Sequence, residues 1–359
     1  MFQKVSFKDS YFQNLDIVRF LSAIMIVFLH SYKGWIAWNE NTFNKYISQI
    51  INNFGIGVDI FFLMSGFLIT YLLIIEKNKN TINIKKFYFK RILRIWPLYF
   101  FLIIISPLIL LWIKYPSPEN YISNIFFVGN YEIIASEKWK YPFAHFWSIC
   151  VEMHFYLFIP FLINYISNKK IVSVFILLIL GSIFFKMYAY KNLGWFSIYL
   201  NTLSRIDLLL IGSLGGVLYS KNSLYYLKLN FFYRVIFFII FVLILSMEPV
   251  TKYDNFIEAG FKNYLYIVIP IILILDYVFN KDNMSKKTNL LNYFGKVSYG
   301  IYMYHNFLIP IIMIKFQSIF KIKSFFIFIL LMIFFSILIS VISYKYFESY
   351  FLKIKSSLS

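Results

Sequence analysis

Residues 15–32 read Leu15-Asp-Ile-Val-Arg19-Phe-Leu-Ser-Ala-Ile-Met-Ile-Val-Phe-Leu-His30-Ser-Tyr32. The run is apolar along most of its length and close to the ~20 residues a helix needs to cross a bilayer. Within it, Leu21–Leu29 is short enough for a signal peptide. The next residues include His30, Tyr32, Lys33 and Trp35 rather than a small-residue cleavage site, so the run reads as a retained anchor. The rest of the chain repeats its character. Of 359 residues, 60% are apolar, 23% aromatic and only 14% charged, with mean hydropathy +0.69. Soluble chains carry about 45–50% apolar and about 25% charged residues. A soluble enzyme, a disordered chain and a disulfide scaffold (there is one cysteine, Cys150) are excluded together. An all-α, polytopic membrane helix bundle remains, as a single domain over 1–359.

Ten spans can be placed: Leu15–Tyr32, Gly55–Ile75, Pro97–Ile113, Phe143–Ile166, Ile171–Tyr190, Ile198–Tyr219, Phe231–Met247, Asn263–Phe279, Val297–Ile314 and Ser324–Phe347. The net charge of +19 would suggest nucleic acid in a soluble protein. Here the basic residues fall mostly between spans and set orientation instead, so no nucleic-acid partner is expected. The segment between spans two and three is the strongest vote: Lys77, Lys79, Lys85, Lys86, Lys90, Arg91 and Arg94 against Glu76 alone. It predicts both termini in the cytoplasm. Within it, Lys85–Trp96 reads as a basic amphipathic helix at the interface, before Pro97 opens the next span. Lys90, Arg91 and Arg94 there suit either anionic lipid or a polyphosphate ligand.

An ionisable group inside a membrane span is costly and usually faces the bundle interior. Arg19 and His30 are eleven residues apart, three turns on one face and about 16 Å along the axis. A snorkelling arginine and a hydrogen-bonded core histidine are the plain alternative. Span four opens His145-Phe-Trp147-Ser148-Ile-Cys150-Val-Glu152, with His145, Ser148 and Glu152 on one face. Asp59 lies at a similar depth in span two. The expectation is that Glu152 or Asp59 accepts the His30 N–H and raises its basicity for general-base work, against an interhelical ion-pair lock. Arg205 and Asp207 share span six with Gly212 and Gly216, whose small size suits close packing. Ser298, Tyr302 and His305 share a face of span nine, and His154 reads as structural. Four histidines with no i, i+4 pair predict no metal.

Taken together, these residues resemble the integral-membrane acyltransferase family 3. Its Arg-x10-His motif matches Arg19 to His30, and its Gly-x-Asp-aromatic motif matches Gly57-Val-Asp59 with Phe61 and Phe62. Arg91-Ile-Leu-Arg94 with Trp96-Pro97 is similar to its Arg-x-x-Arg block. Trp147-Ser148 to Glu152, Arg205-Ile-Asp207, and Ser298-Tyr299 through Tyr302 to His305 complete six blocks in order. The resemblance implies transfer of an acyl group, commonly acetyl, from cytoplasmic acyl-CoA to a hydroxyl of an extracytoplasmic or lipid-linked glycan. O-antigen, capsule and exopolysaccharide are such acceptors. The implied location is the bacterial cytoplasmic (inner) membrane. It implies His30 as catalytic, and Arg91 and Arg94 as seats for coenzyme A. His154 stands where the family more often has an uncharged polar residue, and no esterase-like extracytoplasmic domain is expected after the last span.

The combined expectation assigns His30, Glu152 and Asp59 to catalysis. Arg19, Lys90, Arg91 and Arg94 bind the acyl-CoA co-substrate, with no permanently bound cofactor. Trp147, Ser148, Arg205, Asp207, Tyr302 and His305 are assigned to substrate. The alternative is a secondary transporter or flippase for a polar or lipid-linked sugar, using Arg205, Asp207 and Asp276, although such proteins often show repeats that this sequence lacks. Acceptor, acyl chain and oligomeric state, a homodimer included, are not specified by the residues.

Overall fold

Long apolar segments in lipid must satisfy their backbone polar groups internally, and helices are what the computed structural model shows. It describes residues 12–39, 44–116, 121–221, 229–279, 289–316 and 324–357, and among them there is no strand. In order the helices are α1 (Gln13–Asn39), α2 (Lys45–Asn53), α3 (Ile56–Asn78), α4 (Ile84–Ile113), α5 (Ile122–Ile125) and α6 (Gly129–Ser136). A 3₁₀ turn at Phe143–Phe146 leads into α7 (Trp147–Tyr165). Then come α8 (Ile171–Asn192), α9 (Trp195–Leu200), α10 (Thr202–Ser220), α11 (Phe231–Leu245) and α12 (Phe256–Phe279). The last are α13 (Asn289–Lys296), α14 (Ser298–Ile311), α15 (Phe325–Ser343) and α16 (Ser349–Ser357).

Among the described residues, eight helical stretches are long and apolar enough to cross a membrane. The α13–α14 pair, bent by 68°, supplies a ninth. The expected tenth is α11, whose 15 residues rise only about 22 Å against a hydrocarbon core of about 30 Å. The basic stretch before Pro97 also differs from expectation. It is not a separate surface helix but the first turns of α4, which runs unbroken for 30 residues through Pro97 and Pro107. Such a helix is about 45 Å long, so one end must project beyond the hydrocarbon, and its N-terminal turns carry the lysines and arginines. Further along α4, Ile104, Leu108 and Leu111 are exposed at i, i+4 and i+7, a lipid-facing stripe.

Helix α3 lies at the centre and packs against α1, α7, α10 and α12. Its closest neighbour is α10, and glycine makes that approach possible. A Cβ at Gly66 would collide with the Leu209 backbone carbonyl, and one at Gly212 with that of Leu63. This bears out the packing reading of the span-six glycines. A second apolar cluster, including Val27, Trp35, Ile301 and Phe328, ties α1 to α14 and α15. The two clusters leave a space between α1, α3, α4, α7 and α14.

Candidate active site

That space is a cavity of about 160 Å³. Its α3 wall runs from Val58 to Ile69, a separation of eleven residues and so about 16 Å of depth. Arg19, Arg91 and Arg94 line one end, and Ser148 and Tyr302 line the other. Arg19 is neutralised by Asp16 at 2.6 Å. The other two guanidinium groups are different. Among the described residues neither Arg91 nor Arg94 has a carboxylate within ion-pair distance, and Arg91 Nε is buried with no hydrogen-bond partner. Arg91 is steadied by the rings of Phe87 and Tyr156, at 5.6 and 5.9 Å from their centroids. Lys90, adjacent on α4, is half-buried and does not line the cavity.

Midway along the wall, Ser65 Oγ donates to Glu152 Oε1 at 2.5 Å and lies 2.6 Å from the Tyr156 hydroxyl, which also donates to Glu152. At the far end Ser148 Oγ and Tyr302 OH are 2.6 Å apart, and the tyrosine donates to the His145 carbonyl at 2.7 Å. Behind Tyr302 stand three imidazoles. His30 Nδ1 lies 2.7 Å from His305 Nε2, the two rings within 7° of parallel, and His305 Nδ1 lies 2.5 Å from the Tyr302 carbonyl. His145 places its two ring nitrogens 3.1 and 3.2 Å from the carbonyls of Pro142 and Met303. Asn306 Nδ2 donates to Pro142 O, and Tyr141 OH to Asn306 O, so the turn before α7 is laced to α14.

This network assigns tautomers. A backbone carbonyl only accepts, so His305 carries its proton on Nδ1, and a neutral His305 presents a bare Nε2. His30 must then donate from Nδ1, which leaves the lone pair on His30 Nε2. That is the configuration of a general base, and the imidazolium formed on proton uptake keeps its Nδ1–H bond to His305.

The carboxylate expected to orient His30 is therefore an imidazole in the structure. Glu152 is committed to Ser65 and Tyr156. Asp59 forms a buried ion pair with Arg205, whose guanidinium lies 5.5–5.9 Å from the rings of Phe62, Trp147 and Tyr199. Asp207 pairs with buried Lys186 and accepts from Tyr264 OH at 2.5 Å. For Asp59 the physical reason is proximity to opposite charge, since the Arg205 guanidinium brought by α10 holds it and a neutral imidazole offers less; Glu152 is taken by two hydroxyl donors that stand nearer. Of the expected substrate residues, Ser148 and Tyr302 line the cavity. Arg205, Asp207 and Trp147 belong to the paired network instead, and His305 serves His30. Asp276 is likewise paired, with Arg234 at 2.8 Å, so the charges behind the transport alternative all have partners. His154 Nδ1 lies 2.7 Å from Thr202 Oγ1, away from the site. Among the described residues no group of His, Cys, Asp and Glu is placed to hold a metal ion.

Comparison with known proteins adds a family. A family model described as an Acyltransferase domain matches residues 12–345. A Staphylococcus aureus (strain COL) protein named "Putative O-acetyltransferase" is 28% identical over 326 residues, 83% of this chain and 50% of the relative. The peptidoglycan O-acetyltransferase OatA of Listeria monocytogenes is 23% identical over 332 residues, again 83% of this chain and 49% of the relative. The chain thus spans about half the length of these relatives. No solved structure shows significant similarity.

Proposed function

The chain belongs to the Acyltransferase domain family, and from that premise we propose that it is a multi-pass membrane O-acetyltransferase. In this reading it uses cytoplasmic acetyl-CoA and acylates a hydroxyl of an extracytoplasmic or lipid-linked glycan from a bacterial inner membrane. The observation that carries the reading is the cavity's polarity. One end holds two guanidinium groups without carboxylate partners among the described residues, the other a hydroxyl pair backed by an imidazole whose free nitrogen is set for proton uptake. Planar guanidinium forks match phosphate oxygens, which suits the polyphosphate of coenzyme A. The glycan class of acceptor rests on the name of the Listeria relative.

The chemistry then divides between the ends. Arg91 and Arg94, with Lys90 and Arg19 nearby, hold the donor's phosphates at the cytoplasmic face. The pantetheine arm runs along the 16 Å wall past Glu152. The thioester carbonyl comes to Ser148 and Tyr302, whose hydroxyl protons turn toward the developing oxyanion. His30 Nε2, on the other side of Tyr302, takes the proton of the acceptor hydroxyl as its oxygen attacks. The C–O bond forms, the C–S bond breaks, and the proton passes to the departing thiolate.

The test is His30→Ala in membranes supplied with [14C]acetyl-CoA, following label in glycan and release of free thiol. A general base contributes about 10²–10⁴-fold, so transfer should fall by that factor while the thermal midpoint moves little. Transfer at the wild-type rate would remove His30 from the chemistry.

A further inference from the structure

After α15 the chain makes a π-helical turn at Tyr344–Glu348 and continues as α16, which packs on α4. Isolated π turns in helices often mark functional positions, and the helix beyond this one lies against α4. Phe347, Phe351 and Lys355 recur at i, i+4 and i+8, one helical face. Phe347 meets Phe101 of α4 with ring centroids 5.2 Å apart, and Phe351 meets Phe347 at 5.3 Å. From Phe347 to Lys355 is about 12 Å of rise, and from Phe101 back to Arg94 about 10 Å. The register therefore brings Lys355 level with Arg94, and Lys355 lies within electrostatic range of Arg91, Arg94, Lys90 and Arg19.

Lys355 is half-buried, and among the described residues it has no carboxylate within ion-pair distance. Glu348 on the same segment accepts from Ser343 Oγ at 3.1 Å and attracts Arg94 only from longer range. A lysine held beside an already cationic site raises repulsion, and a polyanion between the cations removes it. We propose that Lys355 is a phosphate-binding residue of the donor site, so that α16 forms the side of the polyphosphate seat opposite α4. This rests on the reading of Arg91 and Arg94 as donor ligands.

The experiment uses the full chain in phosphatidylcholine nanodiscs, with adenosine 3′,5′-bisphosphate as binding probe and acetyl-CoA for kinetics. Loss of one charge-assisted contact to phosphate should weaken probe binding and raise the KM for acetyl-CoA about tenfold in Lys355→Met, with Lys355→Arg restoring most of both. Arg91→Met is the reference. If it weakens binding and Lys355→Met does not, the assignment of Lys355 is overturned and the donor-site reading stands. If neither does, that reading fails and takes Lys355 with it. A defect of Lys355→Met that appears only with phosphatidylglycerol discs, as lost lipid in native mass spectra, would make the residue a lipid contact and also overturn the proposal. A measurement on the wild-type chain needs no variant: the bisphosphate should protect Lys355 from an N-hydroxysuccinimide ester, scored by peptide mass analysis. Equal labelling with and without it would count against the assignment.

Discussion

The molecule buries two sets of charges and treats them in opposite ways. In the α3–α8–α10–α12 half, Asp59, Arg205, Lys186 and Asp207 are almost inaccessible, and each cation has its carboxylate. In the cavity half, Arg91 and Arg94 face open volume with no such partner among the described residues. A buried arginine alone therefore says little about ligand binding. Whether its opposite charge is built into the protein or left to come from outside is what separates framework from site.

Breaking the framework should give the largest effect on the folded state. Arg205→Met leaves Asp59 buried and unpaired, a loss of about 3–5 kcal/mol, seen as a collapse in folded yield and thermal midpoint. Adding Asp59→Leu should restore most of it, since an apolar replacement of a whole ion pair is often near neutral. If the single variant folds normally but loses acceptor binding, Arg205 belongs to the site and the division between framework and site is wrong.

On the other side of the comparison, His305→Ala removes the acceptor that holds His30 in its tautomer. Turnover should drop about 10- to 100-fold, the usual range for the outer partner of a working imidazole, with little change in melting. His305→Gln, whose carbonyl oxygen can accept the His30 Nδ1–H, should recover more than half of the logarithmic loss. An alanine variant with full activity would show that His30 needs no such partner.

A smaller effect sharpens the contrast from the packing side. Gly212→Ala forces a methyl against the Leu63 carbonyl, and overpacking of this kind costs about 1–3 kcal/mol. Stability should fall by that amount while the KM for acetyl-CoA stays constant in the folded fraction. A raised KM would mean that the α3–α10 spacing shapes the donor cavity as well.

Much of this was legible from residue order because helical periodicity acts within one segment. The face shared by Ser148 and Glu152 and the cluster of Arg91 and Arg94 come from 3.6 residues per turn, and both line the cavity. Periodicity does not say which helix stands opposite. His305 is 275 residues from His30, and their meeting depends on how α14 crosses α1. The same blindness hid the pairing of Asp59 with Arg205, 146 residues away. A histidine closing each of the Arg19–His30 and Ser298–His305 faces was the available hint of a relay, but two carboxylates at similar depth made the more familiar partner. The proline at 97 suggested a break in α4, whereas the helix runs through it. Nothing in residue order singled out Lys355, whose place beside Arg94 depends on the packing of α16 on α4.

The acceptor for His305 Nδ1 is the main-chain oxygen of residue 302, not that residue's phenol. Any amino acid placed at 302 carries the same oxygen. Sequence drift there can alter what cradles the oxyanion while the direction of every proton along the imidazole chain survives. The two duties that meet at one residue are thus separable by heredity, and a lineage can retune one without disturbing the other.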